Sequence, residues 1–279
     1  MKSSKKTNIL VATLVIILTV VINYSAQAQA RIARPPLIIP PTIPELNPYL
    51  RQHQNLPVTN PRNPYEWVGQ YHNASLDYIG AVASNPAAAA RIIGPSIPPT
   101  FPCWPNGEVI WRVNQSLFKP YAPEDVLEAI DERRSYFSVD QYAPNARWKI
   151  MQGTGGRIYS DKEDSDFNEF NLQLTGLTMA LGKGRISLGD YQQKVVELED
   201  QVLQDNSLSE NVRMRILLST TVGRHSAYYH LQSPAAARKK CPTCVTSDIA
   251  GATAGASIGG IWGAVVGAVA MSALDYLLQ

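Results

Sequence analysis

The chain reads as a mainly α protein: a helical bundle domain with a proline-rich N-terminal tether and a C-terminal glycine-zipper hydrophobic helix. Three observations predict this. Apolar residues recur at three- and four-residue steps through much of the chain. No strand–helix–strand rhythm interrupts them, and near the C-terminus glycines fall at every fourth position. At 279 residues the chain is long enough to enclose a substantial core.

Residues 1–30 read as an export signal. Lys2, Lys5 and Lys6 precede an apolar run from Ile9 to Ile22, and Ser25 to Ala30 offers small residues at cleavage spacing, after Ala28 or after Ala30. The apolar run is short for a membrane span. Export implies the periplasm, the outer envelope or the medium. Removing the signal's three lysines leaves 22 of the 25 basic residues against 23 acidic ones. Nucleic-acid binding, which rests on many cationic phosphate contacts, gains no support from that balance.

Residues 31–63 carry eight prolines, including Pro35-Pro36, Pro40-Pro41 and Pro44. Proline removes a backbone donor and fixes φ, so this stretch reads as an extended tether. The helical domain is expected over 64–232. Asn63-Pro64 places a cap before a proline at the first helical position. On that helix Glu66, Gln70, Asn73 and Asp77 form a narrow polar stripe, while Trp67, Val68, Tyr71, Leu76, Tyr78, Ile79 and Val82 cover the rest. A helix so apolar needs other helices around it. Asn85-Pro86 ends it.

After a proline-rich connector from Gly94 to Pro105, Val109 to Val113 reads as a short strand. Pro123, Glu124 and Asp125 open a helix reaching about Phe137, and Gln141 to Asp161 reads as irregular. Phe167, Phe170, Leu174, Leu177 and Leu181 mark the next helix, with Gly182 as its stop. Ser187 caps another, carrying Leu188, Tyr191, Val195, Leu198 and Val202. Asp205-Asn206-Ser207 breaks it, and a last domain helix runs from about Leu208 to Leu231.

A linker over 233–247 contains Cys241 and Cys244 and leads into 248–279. There Gly251, Gly255, Gly259, Gly263 and Gly267 stand in register, within 26 uncharged residues between Asp248 and Asp275. On a helix this spacing makes a groove that accepts another helix backbone closely. Six glycines in one helix cost about 5 kcal/mol relative to alanine, so lipid or close helix packing must stabilise it. The segment, about 39 Å long as one helix, could reach across a bilayer. Arg238, Lys239 and Lys240 precede it, which disfavours an ordinary stop-transfer orientation after export.

Chemistry-bearing side chains are few. His72 lies on an apolar arc, where a buried, hydrogen-bonded ring is expected ahead of a catalytic base. His225, His230, Cys241 and Cys244 have ligand types that a tetrahedral zinc site accepts, but the histidines stand about 140° apart on an ideal helix. Export favours a Cys241–Cys244 disulfide instead, with Cys103 left over. Asp164, Asp166 and Asn168 begin like a calcium loop. Glu169 and Thr175 occupy the positions where glycine and glutamate belong, so Asp166 and Glu169 read as a capping box. No cofactor is implied.

Asn63-Pro64-Tyr65, Gly69, His72-Asn73 and Leu76-Asp77-Tyr78, then Ser226-Ala227-Tyr228-Tyr229 and Asp248-Ile249-Ala250-Gly251, resemble motifs of uncharacterised exported bacterial proteins, mainly Bacteroidetes-like. The resemblance implies architecture and export and carries no catalytic residues with it. The expected function is a non-enzymatic exported envelope protein whose glycine-zipper helix associates with membrane or with another copy of itself. The alternative is a precursor that releases a bacteriocin-like, membrane-active peptide by cleavage near Lys240.

Overall fold

Several helices start where a capping side chain meets an apolar stripe, and the computed structural model is mainly α. It has nine α-helices and no strand among the described residues, 40–53, 59–93, 107–132, 160–232 and 241–277. The export signal, Cys103 and Arg238–Lys240 lie outside them.

A 3-10 turn, Pro44–Leu46, runs into α1, Asn47–His53. The tether expected over 31–63 therefore ends in folded chain, with Ile43, Leu46, Leu50 and His53 buried. The hydroxyl of Tyr71 donates to the Pro41 carbonyl and ties this stretch to the next helix. That helix, α2, spans Glu66–Ala83, two residues beyond Pro64. The Asn63 side chain instead takes the Tyr65 N–H at 2.9 Å, closing the turn before it. Asn85 ends α2 and also opens α3, Pro86–Ile93, its Oδ1 accepting from the N–H groups of Ala87 and Ala88.

The strand expected at Val109–Val113 is instead part of α4, Gly107–Phe118. Its β-branched residues favour a strand, but Val113 with Leu117 and Asn114 with Phe118 stack at i,i+4 and are buried. Tertiary burial overrides the local preference. α5, Glu124–Glu132, begins with acids in its first turn, and its expected continuation to Phe137 is outside the described residues.

Ser160 and Glu163, rather than Asp166 and Glu169, form the capping box of α6, Asp161–Gly182. The acidic run is thus the first turns of a helix. α7, Leu188–Gln204, starts at a box made by Ser187 and Asp190, and Ser209 caps α8, Glu210–Leu231.

The last helix, α9, runs Pro242–Leu277 and is broken at Gly259 and Gly260 into two arms, 242–258 and 261–277. The linker expected over 233–247 is already helical from Pro242. All described residues belong to one compact unit, Ile38–Gln279. The larger core gathers α1 to α5 with α8 and α9. A smaller one, around Tyr191, Val195 and Leu198, joins α6 and α7 to Ala227, Val245 and Ile249. α8 and α9 take part in both and form the centre of the fold.

Candidate functional site

The glycine zipper meets its own chain. Gly260 has φ +56, a conformation that glycine adopts without strain, and with Gly259 it reverses the direction of α9. The second arm folds back along the first. A Cβ on Gly255 would collide with the carbonyl of Gly263, and one on Gly263 with the carbonyl of Gly255. Gly251 and Gly267 oppose each other in the same way. The fifth glycine, Gly259, makes room for Val126 of α5. One continuous helix was expected; a hairpin with a side-chain-free seam is what forms.

Polar side chains fix this hairpin to its neighbours. Asn114 of α4 donates to the Val266 carbonyl at 3.1 Å, and Ser219 of α8 meets Thr253 at 2.8 Å. At the tip, Trp262 sits edge-on to Trp67, centroids 6.5 Å apart, and against Phe118 at 6.2 Å. Asp248 is wholly buried near the start of the first arm. Its Oδ2 accepts from the Ser226 hydroxyl at 2.5 Å and lies 3.3 Å from His72 Nε2 and 3.2 Å from His230 Nε2. His230 Nε2 also lies 3.1 Å from Ser272 on the second arm. Both arms are therefore tied to α8, the first through Asp248 with Ser226 and His230 and the second through Ser272 with His230, while His72 of α2 packs beside the same carboxylate without a hydrogen bond.

A second polar knot lies where α2, α7 and α8 meet. Arg224 of α8 is wholly buried. It donates to Glu66 Oε1 at 3.0 Å and Oε2 at 2.5 Å, and to Glu199 at 3.2 and 3.3 Å. Asn60 Nδ2 donates to Glu199 at 2.9 Å, and Arg62 pairs with Asp200 alongside. His225 Nε2 donates to Glu66 Oε1 at 2.9 Å, and its ring lies against the backbone of Gly69, where a Cβ would strike it. Burial pushes the His225 ring down to about 4, its bond to Glu66 opposing only in part. Burial alone would raise Glu66, but the hydrogen bonds from His225 and Arg224 hold it at about 2. Glu199 is pushed up by burial, against the pull of Arg224. A third contact, His53 to Asp77 at 2.7 Å with the Tyr229 hydroxyl at 2.8 Å, continues the set along α2.

All four histidines of the chain are buried, and each lies against a carboxylate. This disperses the zinc set. His225 turns to Glu66, His230 to Asp248, and Cys241 and Cys244 are joined in a disulfide at the start of α9. No group of three or more His, Cys, Asp or Glu that could hold a metal occurs among the described residues, and Asp164, Asp166 and Asn168 lie within α6 rather than in a loop. His72 is indeed wholly buried, its Nδ1 donating to Asn73 at 2.9 Å. A groove of about 350 Å³ lies elsewhere, between α6 and α7, lined by Gln173, Leu177, Lys194 and Gln201.

Sequence reasoning missed Arg224, Glu199 and Asp248 as partners of these rings. One signal was present. The stripe Glu66, Asn73, Asp77 on α2 has a counterpart on α8 in Arg224, His225 and Tyr229, and two such stripes on otherwise apolar helices belong face to face. Neither a protein-family model, nor a curated protein, nor a solved structure matches the chain.

Proposed function

We propose that the chain is an exported, non-enzymatic envelope protein that carries a membrane-associating helical hairpin packed inside its own helical domain. The observation that carries this reading is the hairpin itself. Its two arms and the Gly259-Gly260 turn between them hold the 26 uncharged residues between Asp248 and Asp275, and their close seam is already made within one molecule. The uncharged part of the first arm is the 10 residues 249–258, roughly 15 Å, and that of the second the 14 residues 261–274, roughly 21 Å, so the hairpin enters a hydrocarbon core from one side rather than crossing it. A pair whose glycines are already in contact enters lipid with its helix packing intact, which offsets the weak hydrophobicity of Gly, Ala, Ser and Thr. The filled seam also redirects the expected self-association, because a second copy finds no open glycine groove. The buried histidines present no surface to a substrate, which supports a structural duty for them.

The test is fractionation of cells that export the chain, with carbonate washing, joined to quenching of Trp262 by brominated lipid against a Trp262→Phe control. Retention in the washed membrane and quenching that disappears in the control are expected. A chain that leaves completely with the wash, and whose fluorescence ignores brominated lipid at every pH tried, overturns the proposal.

A further inference from the structure

We infer that the buried histidine–carboxylate knots are an acid-operated latch on the hairpin, with His225 as the group whose protonation opens it. The inference rests on the membrane reading above and names the regulation of that same element.

The geometry makes His225 the weak point. Its Nε2–H is committed to Glu66, and its Nδ1 is buried without a hydrogen-bond partner. A proton arriving at Nδ1 would create a cation with no solvent around it, next to the guanidinium of Arg224, which already shares Glu66. The groups facing this ring come from every neighbouring element. α2 supplies Glu66 and His72, and α8 itself supplies Arg224. α7 supplies Glu199, reached through Arg224, and Asp200 beyond Asn60. The hairpin supplies Asp248, which faces His72. His53 of α1 and Asp77 of α2 stand farther along, beside Tyr229. From α6 the charged contact to α8 is Asp164 with Arg215, ten residues along the helix from His225. Glu199 offers no fresh anion for the new charge: it is engaged by Arg224, and burial favours its neutral form.

The consequence reaches the hairpin by contact. His225 packs on Gly69 and so holds the α2–α8 seam shut. Two residues earlier, Gly223 lets α8 lie against Ile249 of the first arm, where an added Cβ would be 2.9 Å from that side chain. One residue later, Ser226 holds Asp248. Parting α8 from α2 at His225 also opens one side of the Asp248 site, since His72 belongs to α2 and Ser226 and His230, which bond the carboxylate, to α8. The hairpin then keeps its hydrogen bonds to α8 and loses its cover on the α2 side, where Trp67 meets Trp262.

The test separates latch from membrane. Amide hydrogen exchange of α2 and α8 in the exported chain, without lipid, is followed from pH 7 to pH 4, alongside His225→Gln, which keeps a donor for Glu66 and cannot titrate. Opening at least tenfold greater at the acid end is expected in the wild type, after the intrinsic pH dependence of exchange is removed, and less than a twofold change in His225→Gln. Equal opening in both overturns the latch. Should His225→Gln fail to fold, imidazole NMR of the wild type decides. A ring that stays neutral until the helices open upholds the latch, and one that titrates at or above 6.5 within a closed structure overturns it. Flotation with phosphatidylglycerol–phosphatidylethanolamine vesicles then distinguishes the two proposals. Acid opening without vesicle capture sinks the membrane reading alone, whereas equal capture at pH 7 and at pH 4 sinks the latch alone.

Discussion

Arg224 shows most clearly what a single residue does here. It is a wholly buried cation shared by Glu66 and Glu199, and their attraction keeps it charged despite its burial. Removing one partner of a buried pair leaves the other charge without compensation, which costs about 3–5 kcal/mol. Arg224→Leu strands two carboxylates and is expected to lose at least that much in urea unfolding at pH 7. Glu199→Gln keeps an acceptor for Arg224 and leaves Glu66 in place, so its loss is expected near 1 kcal/mol. Equal losses in the two variants would show that Arg224 contributes by packing rather than charge. The charges themselves were legible in sequence, but their pairing was not. Glu66, Glu199 and Arg224 come from three helices, and nothing local says that residues 158 positions apart share a hydrogen bond. The histidines illustrate the same limit. Their helical angle sets the two rings apart, and only tertiary packing says that they face different acids, Glu66 and Asp248.

At the scale of an element, the hairpin turns an intrinsic liability into a requirement. Glycine weakens a helix interior by about 0.5–1 kcal/mol relative to alanine, so an isolated glycine is improved by Gly→Ala. Gly80 in α2 and Gly176 in α6 have nothing within 4 Å of an added Cβ. Gly80→Ala and Gly176→Ala are therefore expected to stabilise by roughly that amount. Gly255→Ala and Gly263→Ala instead drive a methyl into the opposite carbonyl, and overpacking of about 1–3 kcal/mol outweighs the gain. Thermal melts of the four variants should split into two up and two down. A rise for Gly255→Ala would mean that the arms are not in contact. The four-residue spacing was readable from sequence as a packing surface, while the partner was not. Gly259-Gly260 was the available sign of a reversal, one glycine in register and one beside it, at a place where every other glycine repeats at four. The helix starts at Ser187 and near Leu208 were equally readable, because capping is a local interaction. Residues 107–118 were misread because burial, not propensity, decides their state.

Across the whole molecule, the buried knots make stability depend on pH, with opposing signs that can be separated. The His225 ring falls from 6.5 to about 4 on folding, so the unfolded chain binds the proton more tightly. Stability is then highest above 6.5 and is lost as pH falls toward 4, by about 3 kcal/mol over the full window. Glu66 drops from 4.5 to about 2, so its contribution is complete above 4.5 and disappears below it. Glu199 works the other way. Its folded value is raised, so the folded chain holds a proton more tightly, and its contribution is present at low pH and lost as pH rises through that folded value. Between 6.5 and 4.5 the losses from His225 are thus partly masked by Glu199. In Glu199→Gln the mask is gone. Urea midpoints of this variant should fall more steeply from pH 6.5 to 4 than those of the wild type, and His225→Gln should show the shallowest slope of the three. If Glu199→Gln and the wild type run parallel, the two groups do not titrate against each other, and the polar core cannot be treated as one coupled unit. If the order holds, α2, α7 and α8 respond to acid together, at the seam from which Asp248 and the hairpin are held.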